Sequence, residues 1–281
     1  MSWACASRAL AAAAFALAAL PAAAQSGVGD VVYVPTPQVV VDTMLDLAAV
    51  GKGDVLIDLG SGDGRVVVTA AKRGARAMGV DLDRVLLKQA RELAEREGVA
   101  DRATFREQNL FETDLSSATV VTSYLLPEMN LRLRPKILAL KPGTRVVAHD
   151  YHMGDWLPDE RRDIAVPEKK VGNPGVSYVY FWVVPARVDG VWRGTAGGKP
   201  WEVALKQRHQ YFSGVARSGG TAREFDNGRI AGESIRFRYG TGGDSREFVG
   251  RVGDGVITGN LVGTVRGRTV EEPVSLRLAG G

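Results

Sequence analysis

The chemistry-bearing residues collect where apolar runs stop. Asp58 closes the run Val55-Leu56-Ile57, and Gly60, Gly62 and Gly64 then occupy alternate positions with Ser61 and Asp63 between them. Asp81 closes a second run 23 positions after Asp58, and Asn109 follows a third. A buried strand that feeds a glycine turn and a helix N-terminus makes a cradle for a nucleotide cofactor. Glycine takes positive φ there and lets a ligand lie against bare backbone. A dinucleotide site would want Gly-x-Gly-x-x-Gly, and a triphosphate site would want Lys-Ser or Lys-Thr behind the glycines. Neither pattern is present. The acids Asp58 and Asp63 beside the turn suit a ligand with a cationic amine better than one with two phosphates. Asp81 stands at the spacing from which a carboxylate receives both ribose hydroxyls, and the Asn109 carbonyl can accept from the exocyclic amine of adenine.

The elements that must position these groups alternate between strand and helix. Strands are predicted over 55–58, 75–80, 102–107, 119–124 and 144–148, the last running into His149-Asp150. Helices are predicted over 65–73, 83–98 and from about 127 to 140, with Pro135 able to kink or split the last one. An earlier helix over 38–49, with Val40, Met44, Leu47 and Ala48 on its apolar face and Thr36 as a possible cap, is placed to close over a ligand. Residues 163–167 and 176–184 read as a hairpin around Asn173-Pro174-Gly175. The expected fold is therefore α/β: a Rossmann-like seven-strand sheet over 53–185, preceded by a linker and lid helix over 25–52. From about 190 to 281 helical periodicity gives way to short alternating segments between glycine turns. That texture predicts a small antiparallel β-rich domain, a barrel or a half-sandwich, with turns at 226–228 and 253–255.

Residues 58–64 resemble the Asp-x-Gly-x-Gly-x-Gly turn of class I S-adenosylmethionine (SAM) dependent methyltransferases. Four further stretches narrow the resemblance: Tyr33-Val34-Pro35-Thr36-Pro37, Gly79-Val80-Asp81, Tyr124-Leu125-Leu126-Pro127-Glu128-Met129-Asn130, and residues 141–147 with His149. With these, residues 31–184 are similar to the small prokaryotic and archaeal protein-lysine methyltransferases related to the mitochondrial ATP synthase c-subunit lysine methyltransferase. The resemblance implies SAM as cofactor. Asp58, Gly60, Ser61 and Gly62 would surround its methionine part, with Pro35 and Thr36 beside them, Asp81 at the ribose and Asn109 at the adenine edge. This family has aspartate where Asn109 stands, which implies weaker cofactor binding. Tyr33, Tyr124 and Glu128 become the candidate catalytic and acceptor-contacting residues, with Glu128 either meeting the acceptor amine or capping the following helix. His149 is either structural or acceptor-facing. The implied reaction is methyl transfer to an amine, a protein lysine or a small molecule. The remaining alternative is a non-catalytic envelope protein that retains the fold.

Composition bounds the partners. The 281 residues carry a formal charge of +4, and the charges are interspersed. A basic stripe with aromatics, which a nucleic-acid partner would want, is not found. No metal-ligand spacing stands out, and the only cysteine, Cys5, lies in an N-terminal stretch of different character. There Arg8 precedes an Ala/Leu run over 9–20, then Pro21 and Ala22-Ala23-Ala24, the pattern of a secretory leader over 1–24. The run is shorter than the roughly 20 residues of a membrane-spanning helix. The expected destination is the periplasm or the exterior, with an uncleaved anchor as the alternative. N-terminal sequencing of natively produced protein should find Gln25 first, and an intact leader in the soluble cytosolic fraction would refute export.

Overall fold

The computed structural model describes residues 33–242, 245–265 and 268–279. The leader expected over 1–24 and the beginning of the linker lie outside them. Strands β1 (Val55–Leu59), β2 (Arg76–Asp81), β3 (Ala103–Glu107), β4 (Val120–Ser123) and β5 (Arg145–His149) are parallel, while β7 (Gly175–Val183) runs antiparallel to both β5 and β6 (Glu160–Val166). Their order is β3-β2-β1-β4-β5-β7-β6, the seven-strand sheet expected from the sequence. The central strands are covered on both faces, which is why β1, β4 and β5 are buried along nearly their whole length.

One face is covered by α1 (Gln38–Leu47), α2 (Arg65–Lys72) and α3 (Arg84–Arg96). Asp83 caps α3 by accepting from the N–H groups of Val85 and Leu86, and Leu87, Ala90 and Ala94 face inward. On the other face lies α4 (Pro127–Leu138), which passes through Pro135 as one helix and buries Asn130, Leu133 and Ile137. The helix expected as a lid is instead part of the core. Val40, Val41, Met44 and Leu45 of α1 are essentially inaccessible and share a cluster with Val147 of β5 and Val179 of β7. A helix that buries its whole apolar stripe against the sheet is a wall, not a flap.

No helix separates β5 from β6. The intervening loop is held by Trp156, fully buried against Trp182, whose indole N–H donates to the Trp156 carbonyl at 2.9 Å. Beyond β7, eight antiparallel strands close a barrel: β8 (Gly190–Ala196), β9 (Lys199–Arg208), β10 (Tyr211–Ser218), β11 (Thr221–Ala231), β12 (Ser234–Tyr239), β13 (Arg246–Gly253), β14 (Val256–Val265) and β15 (Arg268–Leu278). They form a meander in which β15 returns to pair with β8. Closure removes the two exposed edges that a half-sandwich would leave. Asp254 and Gly255, at φ 48° and 73°, make the tight turn expected at 253–255. The turn expected at 226–228 is not formed, because those residues lie inside β11. Gly228 pairs with Phe212 and accommodates its ring. The Asn227 side chain exchanges hydrogen bonds with the backbone N–H and C=O of Arg238, standing in for the ladder where β11 splays from β12.

The barrel interior is filled by rings. Phe237 stacks on Phe225 at 4.3 Å between centroids and also meets Phe212, Phe248 and Trp201. Phe237→Ala should therefore cost about 3–5 kcal/mol of stability. Urea unfolding checks this, and a loss below about 1 kcal/mol would be inconsistent with a core of that density.

Candidate active site

The sheet order reverses direction between β1 and β4, so the crevice at the carboxyl ends of these strands is where an open α/β sheet holds its ligand. Gly60, Gly62 and Gly64 line it at φ 76°, 52° and 79°. A Cβ on Gly62 would lie 2.3 Å from the Tyr33 ring, and one on Gly60 would lie 3.0 Å from the Leu125 side chain. Tyr33 thus sits on the glycine turn. Burial, followed by the nearby Asp63 carboxylate, pushes its hydroxyl above the usual tyrosine range. Asp63 pairs with Arg65, and the Arg65 guanidinium donates to the Thr36 carbonyl at 2.8 Å, which straps residues 33–37 across the turn.

Asp58 is buried at the end of β1, where its Oδ1 accepts from Thr122 at 2.7 Å. Burial lifts its carboxyl to about 7, against the lowering effect of that hydrogen bond. Asp81 Oδ2 accepts from the Gly62 N–H at 2.8 Å and Oδ1 from the Asp83 N–H at 3.0 Å, so the acid ties β2 to the turn. Each oxygen keeps a lone pair for a hydroxyl donor. The Ser61 hydroxyl is buried over Gly79 of β2 and its backbone N–H donates to the Val80 carbonyl at 3.0 Å, so Ser61 fixes the turn. The Asn109 carbonyl oxygen accepts from the Phe111 N–H at 3.0 Å and its amide donates to Glu112, leaving one lone pair for an adenine amine. Pro35 is exposed at the edge of this region.

A second group of residues gathers at the ends of β4, β5 and β7. The Tyr124 ring lies 3.9 Å from His149, and its hydroxyl donates to Asp150 Oδ2 at 3.1 Å. His149 Nδ1 is 3.2 Å from the Thr36 hydroxyl and Nε2 is 2.9 Å from the Ser177 hydroxyl. Burial lowers the imidazole to about 4, so His149 is neutral at neutral pH and joins the N-terminal strap to β7. Thr36 therefore serves as a brace rather than a helix cap; no side-chain cap bond closes the N-terminus of α1. Glu128 is exposed in the first turn of α4, where its charge complements the helix dipole. The buried side chain of that stretch is Asn130, which donates to the Tyr151 carbonyl at 3.1 Å. Its signal in the sequence is a polar residue spaced at three and seven positions from Leu133 and Ile137 on an apolar stripe. Lys169, which forms a buried ion pair with Asp150, has no local signal at all.

These residues fit SAM. A positive-φ glycine turn, a buried carboxyl at Asp58 and the free lone pairs of Asp81 compose an acceptor set for a cationic ligand with ribose hydroxyls. Asp58 also makes folding pH-dependent. Its folded carboxyl holds a proton up to about pH 7 that the unfolded chain releases near 4, so rising pH destabilises the ligand-free protein across that window. Asp58→Asn should therefore gain on the wild type by several degrees of Tm, roughly 2–4 °C per kcal/mol, between pH 5 and pH 8. A wild-type/variant difference that stays flat with pH in thermal scans would contradict the raised carboxyl.

Comparison with known proteins gives matches to methyltransferases. A family model described as the ANTKMT methyltransferase domain matches residues 58–160. A protein-lysine N-methyltransferase of Saccharolobus islandicus (strain REY15A) is 46% identical over 138 residues, 48% of this chain and 86% of that protein. The human ATP synthase c-subunit lysine N-methyltransferase is 34% identical over 128 residues, 45% of this chain and 54% of the human protein, so only about half of that relative is spanned. Among solved structures, an RNA methyltransferase from Salinibacter ruber in complex with S-adenosyl-L-homocysteine is 49% identical, with 55% of this chain and 96% of that one covered at a TM-score of 0.49. With the glycine turn, the strand order and a relative 46% identical across 86% of its length, the chain belongs to the class I SAM-dependent methyltransferases, in the branch related to protein-lysine methyltransferases.

Proposed function

We propose that the protein transfers the methyl group of SAM to an amine, the side-chain nitrogen of a protein lysine. The observation that carries this reading is the group at the ends of β4 and β5: an aromatic wall of Tyr124, His149 and Tyr151 backed by a carboxylate, Asp150. Such a wall takes an alkyl-amine chain better than it takes an anionic acceptor. The glycine turn with Asp58 holds the methionine part of the cofactor, Asp81 the ribose, and Asn109 the adenine edge.

SAM supplies a methyl already activated on a sulfonium, so the protein's task is alignment of a neutral amine and not strong acid or base catalysis. The amine nitrogen forms its bond to the methyl carbon as the sulfur–carbon bond breaks with its electron pair left on sulfur, and the surplus proton on nitrogen goes to water. A lysine amine has an ordinary pKa of about 10.4, and a partly desolvated aromatic wall lowers it toward the neutral form. We further propose, on the leader, that this occurs outside the cytoplasm, and that the barrel is a docking module.

Incubation of the protein with methyl-labelled SAM and envelope extract should place label in protein, recoverable as methyllysine. Label confined to RNA or to small molecules would overturn the lysine assignment.

A further inference from the structure

Lys169 lies in the loop between β6 and β7, and its side chain is only 5% exposed. Its ammonium donates to Asp150 Oδ2, to the Val176 carbonyl at 2.8 Å and to the Ser177 hydroxyl at 3.1 Å, so all three N–H bonds are used. Asp150 is held from the other sides as well. Its Oδ2 also accepts from the Tyr124 hydroxyl at 3.1 Å, and its Oδ1 accepts from the Tyr178 N–H at 3.1 Å. The residue stands at φ 62°, a left-handed conformation uncommon outside glycine and tolerated where the surroundings over-determine it. Lys169 and Tyr124 therefore share one carboxylate oxygen, and the Tyr124 ring rests against His149 in the acceptor wall.

Without a partner, that carboxylate would act on the chemistry. A negative charge near an incoming amine favours the ammonium form, which has no lone pair with which to attack. The other titratable groups facing Asp150 do not supply the missing positive charge near neutral pH. On the β5 side His149 is held neutral by burial, and Tyr151 is a phenol. Tyr124, after β4, and Tyr180, on β7, are phenols whose hydroxyls burial pushes up. Arg161 of β6, which stacks on Tyr178 and Tyr180, is already paired with Asp163. The compensation comes from Lys169.

We infer that Lys169 is a positioning residue for the acceptor site: its ammonium cancels the Asp150 charge, so that an amine enters in its neutral form, and fixes the carboxylate that orients Tyr124. This rests on the amine-acceptor reading above. Lys169 need not touch the acceptor; it acts through Asp150 and Tyr124.

The test is the pH profile of kcat at saturating lysine peptide and SAM, which reports ionisations in the bound complex, from about pH 6 to 10, with SAM affinity by calorimetry as the check that each variant is folded. Lys169→Met should move the rising limb to higher pH by about one unit, seen as roughly tenfold lower kcat near pH 7.5 with recovery toward wild type at high pH. Lys169→Arg, which keeps the charge, should retain the wild-type limb. Adding Asp150→Asn to Lys169→Met should return the limb toward the wild-type position. A uniform loss at every pH, or a limb that Asp150→Asn does not restore, is the signature of a merely structural lysine and overturns the inference. Should Lys169→Met fail to fold, Asp150→Asn alone decides: it leaves the Lys169 charge uncancelled and must shift the limb to lower pH, and an unmoved limb refutes the idea. An active wild type with unshifted variants overturns this inference alone, whereas a wild type that methylates no lysine peptide overturns the acceptor reading and the inference with it.

Discussion

Between β1 and α2 the backbone passes through three positive-φ residues within five positions, and each is a contact point for a different part of the chain. Gly60 meets Leu125, after β4. Gly62 meets Tyr33, in the N-terminal strap. Gly64, at the N-terminus of α2, is closed in by Ala90 of α3 and Phe105 of β3, either of which would lie 2.7 Å from an added Cβ. A side chain at any of these positions would strain the turn and also push away an element that shapes the crevice. The turn that we propose as the cofactor cradle is thus also a packing junction, and the elements on either side of it depend on that absence of side chains.

The two halves of the site are electrostatically unlike. On the side proposed for the cofactor, among the described residues, Asp58 is buried beside Thr122 with no cation on it, and Asp81 accepts from backbone N–H groups. A ligand that brings its own positive charge would favour the ionised form of Asp58 over the protonated form that burial otherwise holds up to about pH 7. On the side proposed for the acceptor the buried carboxylate of Asp150 is matched by Lys169, and His149 is neutral. That half presents little net charge, which suits an amine that must arrive unprotonated. Thr36 spans the two, with its carbonyl on Arg65 and its hydroxyl on His149.

The loop that begins with Asp150 also carries the barrel. Asp155 pairs with both Arg134 of α4 and Arg208 of β9, Asp159 pairs with Arg229 of β11, and the Leu157 carbonyl accepts from Gln210 at 2.5 Å. Trp156 anchors this loop in the core of the first domain while facing the His209 ring. A second attachment runs from the Ala186 N–H to the Gly232 carbonyl. The contacts are mostly charged or polar, as expected where a separately cored barrel docks on a finished sheet.

Local pattern alone determined a great deal here: the alternation of strand and helix, the glycine turn, the strand-end acids Asp58 and Asp81, and the change to an antiparallel barrel-like texture. These are legible because they follow from the conformational freedom of glycine and from hydrophobic period, both of which are properties of neighbouring residues. What depends on residues far apart in sequence was decided by the tertiary structure. Residues 38–47 became a wall because a sheet face needed covering, and Asn227-Gly228 stayed in a strand because Phe212 and Arg238 came to meet it. Glu128 gave way to Asn130 because helix phase points one outward and the other inward. Lys169 is the extreme case. Nothing within its own loop distinguishes it from an exposed lysine, and it acquires a role only when β5 and β7 pair and bring Asp150 within reach of a charge buried 19 residues away.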